Sequence, residues 1–295
     1  MRAFAALLWC CAATTLQAAE PACQSTQIAG FNQPESVFES ADAIYVSNIG
    51  GAAGNGYISK VDKYSLRVEV PRFLPVEGGF DKPMGLLVAD GILYVADLKR
   101  VRGYDLKTRA AVFELSIPGA RSLNDLVLGS SPGGEVWFFA SDYYANKVFK
   151  VYPKRKTYSV FANVVGANGL AYDAASRNLY VAGLGGASTS GERPPYAGAL
   201  YQLTARGQVT RLIDTGAFLD GIALHRGRLY FSDWGTDLVS GRLHSIPIAG
   251  PKVVRDEALC AGVVRGPADF TRSRDGLNWL IPALMDGKVV VEPIR

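Results

Sequence analysis

Short apolar segments of strand length recur along the chain, and each follows the same four-residue motif. The motif runs Pro, Leu or Ala, then a variable residue, then a small or acidic residue, then an apolar one. Its six copies occupy 34–37, 83–86, 123–126, 167–170, 219–222 and 267–270, and the apolar segments after them occupy 43–48, 92–97, 136–142, 178–183, 228–233 and 278–282. The second residues of successive copies are 49, 40, 44, 52 and 48 positions apart. Such a period, built from short strands, is typical of a β-propeller with one repeat per blade.

No segment shows a sustained helical period, so the sequence predicts an all-β, six-bladed β-propeller with almost no helix. The predicted blades cover 33–80, 81–121, 122–165, 166–217, 218–265 and 266–295. The last blade has only three apolar strand segments, at 268–271, 277–282 and 288–293. Closure of the ring removes open strand edges, so we expect an N-terminal strand within 23–30 to supply the fourth.

The second residues of the six motifs should form a ring of side chains. The innermost strand of each blade lines the central channel, so equivalent residues at the strand starts meet near one end of it. These residues are Glu35, Met84, Asn124, Asn168, Asp220 and Ala268. Four of them carry oxygen and none is Lys or Arg. Two carboxylates brought together without a basic partner would repel each other and shift each other's pKa.

A divalent cation in the ring would resolve this repulsion. Oxygen ligands favour Ca²⁺, then Mg²⁺ or Mn²⁺, and Zn²⁺ is less suited because the ring contains no Cys or His. Met84 and Ala268 leave one side apolar, which could accept part of an organic ligand. The alternative is that the polar ring residues are turn residues that only form local hydrogen bonds.

Other residues near the motifs are assigned to the fold. Asp125 and Asp269 directly follow ring positions, so strand alternation predicts that they point away from the ring. The tryptophans expected to pack between blades are Trp137, Trp234 and Trp279. The long loops at 50–55 and 184–196 should flank the same face as the ring, where they are candidate lids or plain surface insertions.

The motifs at 34–36, 123–125, 167–171 and 219–223 resemble those of the regucalcin (senescence marker protein)/gluconolactonase family. The resemblance covers the whole mature chain. It implies a six-bladed propeller with a divalent metal, usually calcium, held by Glu35, Asn168 and Asp220. It also implies that Asn124 contacts the substrate or a water on the metal, and that Asp220 is the general base in sugar-lactone hydrolysis.

The chain departs from the family pattern in one respect. Sugar lactonases of the family carry an arginine two residues before the asparagine at position 124, where this chain has Ser122. The nearest arginine, Arg121, is one place further away and should point differently by alternation. The absence of this substrate clamp keeps a non-catalytic interpretation open.

The N-terminal sequence predicts where the protein is located. Residues 1–19 have a positive start, an apolar run at 3–13 and small residues at 18–19, which is the layout of a secretory signal peptide. We therefore expect residues 20–295 to be exported, to the periplasm or outside the cell, with no membrane span. Cys23 and Cys260 remain as an even pair that an oxidising compartment could join in a disulfide, although two unpaired thiols are the alternative.

Composition excludes several function classes. The 295 residues carry a net charge of +4 with dispersed basic residues, which argues against a nucleic-acid partner. Two histidines and no nucleophile or phosphate-binding motif leave little support for serine-hydrolase or nucleotide chemistry. We therefore expect a metal-dependent hydrolase, of lactonase type, acting on a small molecule. The alternatives are a calcium-stapled propeller that binds a ligand or protein partner, and a metal-free scaffold.

Overall fold

The computed structural model describes residues 23–129, 134–185 and 198–295. Within these residues the chain forms 24 β-strands in six four-stranded antiparallel sheets, with 3₁₀ turns at Pro153–Arg155 and Leu284–Asp286. The predicted all-β, six-bladed propeller is therefore confirmed. No helix in this part of the chain is long and apolar enough to cross a membrane. The predicted signal peptide and most of the candidate lid loop at 184–196 lie outside the described residues.

Each blade is one sheet, and the strands run from the channel outward in chain order. The N-terminal strand β1 (Thr26–Ala29) belongs to the sixth blade. The first blade contains β2 (Pro34–Glu39), β3 (Ile44–Asn48), β4 (Tyr57–Asp62) and β5 (Arg67–Leu74). The second contains β6 (Pro83–Ala89), β7 (Ile92–Asp97), β8 (Arg100–Asp105) and β9 (Ala111–Ser116). The third contains β10 (Leu123–Leu128), β11 (Phe138–Asp142), β12 (Lys147–Tyr152) and β13 (Thr157–Asn163).

The remaining blades repeat this plan. The fourth contains β14 (Ala167–Asp173), β15 (Asn178–Gly183), β16 (Ala199–Leu203) and β17 (Val209–Asp214). The fifth contains β18 (Leu219–His225), β19 (Arg228–Asp233), β20 (Arg242–Pro247) and β21 (Arg255–Glu257). The sixth contains β22 (Thr271–Arg272), β23 (Asn278–Ala283) and β24 (Lys288–Pro293), with β1 as its outermost strand.

The N-terminal strand closes the ring, as the sequence predicted. β1 pairs antiparallel with β24, from Thr26 opposite Val291 to Ala29 opposite Lys288. This pairing covers the edge that β24 would otherwise expose.

A disulfide and a buried carboxylate reinforce this closure. The disulfide joins Cys23 to Cys260 with Cα atoms 5.3 Å apart, and the buried Glu292 accepts the backbone amides of Cys260 and Ala261. Potential ligand atoms of Cys23, Cys260 and Glu292 lie within 4.8 Å of one another. Because both sulfurs are engaged in the disulfide, this cluster is a structural anchor and not a metal site.

The core is divided among the junctions between blades. Each of the six junctions holds a cluster of buried hydrophobic residues drawn from the two facing sheets. Between the second and third blades, for example, Tyr94 packs on Phe138 with ring centroids 5.1 Å apart. The blades are thus held side by side by burial of apolar surface, which leaves the inner strand ends free to carry polar groups.

The inner strands share an irregularity at their start. In the first blade, pairing jumps from Pro34 opposite Asn48 to Val37 opposite Val46, so the inner strand has one residue more than its neighbour. The inner strands of the next four blades show the same shift at the same place. A bulge of this kind re-aims side chains locally, and two successive residues of an inner strand can then face the channel.

Candidate metal centre

The polar ring residues lie together at the start of the inner strands. Glu35, Asn124, Asn168 and Asp220 come from four different blades, and each is at most 5% exposed. Asn124 Nδ2 donates to Glu35 Oε1 at 3.3 Å, and the Asn168 amide lies close enough to Asp220 to lower the pKa of that carboxyl. The repeat phase of the sequence therefore does bring these four side chains into one buried cluster.

Glycines in the neighbouring positions allow the inner strands to approach this closely. A Cβ on Gly85 would lie 2.6 Å from the carbonyl oxygen of Asn124, and one on Gly221 would lie 2.8 Å from the Phe270 amide nitrogen. Real Cβ atoms do not tolerate such distances, so both positions require glycine for the backbone approach. The motif's small residues thus set how tightly the ring of polar side chains closes.

Each ring residue uses one polar atom for a hydrogen bond and keeps an oxygen free. Glu35 Oε1 accepts from Asn124, Asp220 Oδ2 accepts from Trp234 Nε1 at 3.0 Å, and Asn168 Nδ2 donates to the Leu219 carbonyl at 3.2 Å. The opposite atoms have no hydrogen-bond partner among the described residues: Glu35 Oε2, Asn124 Oδ1, Asn168 Oδ1 and Asp220 Oδ1. These hydrogen bonds therefore fix the orientation of four buried oxygens that accept no hydrogen bond from the described residues.

Four such oxygens fit a hard divalent cation. Leaving one buried acceptor unsatisfied costs about 1–3 kcal/mol, and here the cost falls on four groups in one place. The donor set is two carboxylates and two amide carbonyls, which suits Ca²⁺ or Mg²⁺ better than softer metals. A bound cation would supply the positive partner that these buried oxygens lack among the described residues.

The electrostatics of the site point the same way. Burial raises the pKa of Glu35 well above its usual value, and the nearby Asp220, Asp269 and Asp125 raise it further, while Lys82 lowers it. Burial likewise raises the pKa of Asp220 to about 7, against a lowering contribution from the Trp234 hydrogen bond. Buried carboxylates this close together are unfavourable in the ionised form unless a positive charge lies beside them.

The other two ring positions are apolar. Met84 is 5% exposed and belongs to the hydrophobic cluster between the second and third blades, and Ala268 is fully buried. Neither can serve as an oxygen ligand. Contact between Met84 and a substrate stays a prediction.

Comparison with known proteins places the fold but not the family. No family model and no curated protein matches the chain. A solved structure described as a candidate gluconolactonase is similar, with 17% identity, a TM-score of 0.61, and coverage of 91% of this chain and 92% of that one. A luciferin-regenerating enzyme is similar with 12% identity, a TM-score of 0.62, and coverage of 92% and 96%. Hydrazine synthase from Kuenenia stuttgartiensis is similar with 13% identity, a TM-score of 0.62, and coverage of 85% and 74%. At these identities the likeness extends to the propeller fold alone.

The sequence predicts that Trp234 packs between blades, but its side chain also contacts the ring of polar residues. Its indole N–H donates to Asp220 Oδ2, so the side chain reaches the ring from the turn after β19. Trp137 and Trp279, in contrast, are buried in the clusters between blades. The sequence offers no signal that separates the three, because each follows or lies within a similar apolar strand.

The prediction that Asp125 and Asp269 point away from the ring was wrong. Their carboxyl groups lie close enough to shift each other's pKa, although they come from the third and sixth blades, which stand opposite in the ring. Asp269 also accepts the hydroxyl of Ser36 at 2.7 Å. In the third blade, strand alternation fails because the bulge between Leu123 and Leu126 changes the direction of the Asp125 side chain.

A lysine and a tyrosine that the sequence did not single out also lie beside the ring. Lys82 precedes the second motif, and its Nζ donates to the hydroxyl of Tyr143, which follows β11, at 3.0 Å. Burial raises the pKa of Tyr143, and the charges of Glu35 and Asp220 contribute to that rise. The sequence holds a weak signal for Lys82, namely its place one residue before a motif, but nothing in it pairs Lys82 with Tyr143.

Proposed function

We propose that the protein is an exported, divalent-metal-dependent hydrolase that opens a small lactone in the propeller channel. The proposal is carried by one observation, the four buried oxygens without partners on Glu35, Asn124, Asn168 and Asp220. Calcium is the favoured ion because every donor is oxygen. The sequence resemblance and the fold likeness to a candidate gluconolactonase support this reaction class, and the N-terminal sequence supports export.

The ion would be held by Glu35, Asn168 and Asp220, with Asn124 beside them. When bound, it would supply Lewis-acid polarisation of the lactone carbonyl. The protein residues do the positioning: Asn124 fixes Glu35, and Trp234 fixes Asp220. Both carboxylates therefore present a defined oxygen to the channel.

Asp220 is placed to act as the general base. Burial raises the pKa of Asp220 to about 7 when no cation is bound, and a bound cation would lower this pKa again, so Asp220 would be ionised and able to accept a proton near neutral pH. In the proposed step Asp220 accepts a proton from water as the water oxygen adds to the carbonyl carbon. The ring C–O bond then breaks, the proton passes to the leaving alkoxide oxygen, and the product is the open hydroxy acid.

Elemental analysis of the purified protein tests the metal site. We expect about one equivalent of a divalent ion, lost in Glu35→Gln and kept in Glu77→Gln, which changes an exposed glutamate in the same blade. Chelation should lower the melting temperature of the unaltered protein and leave that of Glu35→Gln unchanged, because ions that bind only the folded state stabilise it. The metal site would be contradicted if the purified protein contains no metal and its melting temperature does not change when Ca²⁺ is added.

Turnover on a panel of lactones tests the chemistry. We expect Asp220→Asn to abolish hydrolysis of every lactone that the unaltered protein cleaves, with Asp42→Asn as the exposed control. A protein that holds the metal but cleaves no lactone would favour the calcium-stapled binding module instead.

A further inference from the structure

Two cationic and two aromatic side chains lie beside the ring of polar residues. They are Lys82, Arg121, Tyr143 and Tyr144, and together they are called the cationic rim. The two tyrosine rings pack against each other with centroids 4.1 Å apart and planes inclined by 37°. Lys82 bonds to the Tyr143 hydroxyl and lies 5.3 Å from its ring centroid. The Arg121 guanidinium lies 5.7 Å from the Tyr144 ring and donates to the Tyr144 carbonyl at 3.3 Å.

Lys82 is held in place without being neutralised. Its backbone N–H donates to the buried Asp97 at 2.8 Å, which fixes the residue at the start of the inner strand β6. Among the described residues, no carboxylate forms an ion pair with its side chain. An ammonium group has three donors, and the contact with Tyr143 uses one of them. Its other two donors make no hydrogen bond to the described residues, so the ammonium group can still bind an anion beside the ring.

Ser122 adds a neutral donor to the same corner. It is 1% exposed, and its hydroxyl makes no hydrogen bond of good geometry, although it is close enough to Tyr143 to influence that hydroxyl. The Ser122 amide is fixed by Asp142 at 3.0 Å. A buried hydroxyl without a partner, near an ammonium group that forms no ion pair with the described residues, indicates a place for an oxygen-rich anionic group.

We propose that Lys82, assisted by Ser122, binds a carboxylate carried by the substrate at a distance from its reacting carbonyl. This proposal rests on the proposed lactonase function, and it narrows the substrate class to lactones that bear a free carboxylate. With the charges of Glu35 and Asp220 balanced by the bound cation, a singly charged carboxylate matches the single ammonium group of Lys82, whereas a phosphate dianion would leave one negative charge unpaired. Arg121, exposed at the outer end of the rim, would attract such an anion toward the channel.

This assignment replaces the missing arginine. The resemblance to lactonases places a cation at position 122, and this chain has serine there. The structure brings a cation to the same corner from the neighbouring blade, through Lys82. In this chain Lys82 and Ser122 together would contact the substrate at the place where those lactonases use an arginine.

Two matched lactones test the proposal. D-Glucaro-1,4-lactone carries a carboxylate at the end where D-glucono-1,4-lactone carries a hydroxymethyl group. For Lys82→Met we expect the ratio of KM for the anionic lactone to KM for the neutral one to rise about tenfold. Lys99→Met, which removes the same charge from an exposed position on the turn after β7, should leave that ratio unchanged. An equal effect of Lys82→Met on both lactones, or an unaltered protein that prefers the neutral one, would overturn the proposal.

A direct binding measurement tests the anion site independently of lactone hydrolysis. If no lactone is cleaved, titration calorimetry with D-glucaro-1,4-lactone still reports the anion site. Binding that weakens about tenfold in Lys82→Met and weakens with added NaCl would keep the anion site while the hydrolase fails. No binding, or binding equal in Lys82→Met and the unaltered protein, would refute the anion site whatever the turnover shows.

Discussion

Asp125 and Asp269 bring two buried carboxyl groups close together from opposite blades, one residue beyond the ring that holds the candidate metal ligands. Asp125 also accepts the backbone amides of Leu126 at 2.6 Å and Leu170 at 2.7 Å. Burial raises the pKa of both carboxyls, that of Asp125 to about 6, and two carboxyl groups can bond to each other only when one keeps its proton. The pair therefore links the third and sixth blades as a polar strut.

The strut predicts unequal effects of substitution at its two ends. Asp269→Asn supplies an amide donor for Asp125 and an oxygen for the Ser36 hydroxyl, so we expect a change in unfolding free energy below about 1 kcal/mol. Asp125→Ala leaves two buried backbone amides without acceptors, and we expect a loss of at least about 2 kcal/mol. Urea unfolding of both variants measures the difference. Equal destabilisation by the two substitutions would argue against a shared proton.

The sequence could predict the fold and the ring, but not the contacts around it. Equivalent positions in a repeated blade converge by symmetry, so the phase of the motif was enough to bring Glu35 and Asp220 together. The contacts of Lys82 and Trp234 depend on how far a long side chain reaches from one blade to another, which no periodicity records. The inward turn of Asp125 depends on a bulge, and a bulge leaves no mark in a simple alternation of apolar and polar residues.

Trp234→Phe should impair the site without unfolding the protein. The substitution keeps most of the apolar side chain and removes the N–H that orients Asp220. Partners of this kind typically contribute about 10- to 100-fold to metal affinity or activity, and we expect a loss in that range. Trp279→Phe is the comparison, because that side chain is 3% exposed within a hydrophobic cluster. It should lower the melting temperature more and metal affinity less, and the reverse order would contradict the role of Trp234.

His244 should make stability depend on pH. Burial by itself would lower the pKa of His244, but its contacts with Asp233 at 3.5 Å and Asp256 at 2.7 Å outweigh burial and raise it. A raised folded-state pKa means that the stabilisation is fully present below the unfolded value of about 6.5 and is lost as the pH rises through the folded value. We expect His244→Gln to cost more unfolding free energy at pH 5.5 than at pH 8.5. A cost that is constant between the two would show that the charge of His244 does not matter.

The disulfide between Cys23 and Cys260 should contribute strongly to closure of the ring. It links residues 237 positions apart, and cross-links that close long loops remove much entropy from the unfolded chain. It also secures the four-residue strand β1, which among the described strands pairs with β24 alone. We expect Cys23→Ser with Cys260→Ser to lower the unfolding free energy by about 2–4 kcal/mol. Reductant should destabilise the unaltered protein to a similar extent and leave the double variant unchanged. If reductant has no effect on the unaltered protein, closure depends on the pairing of β1 with β24 and on burial of Ile28 in the cluster between the sixth and first blades.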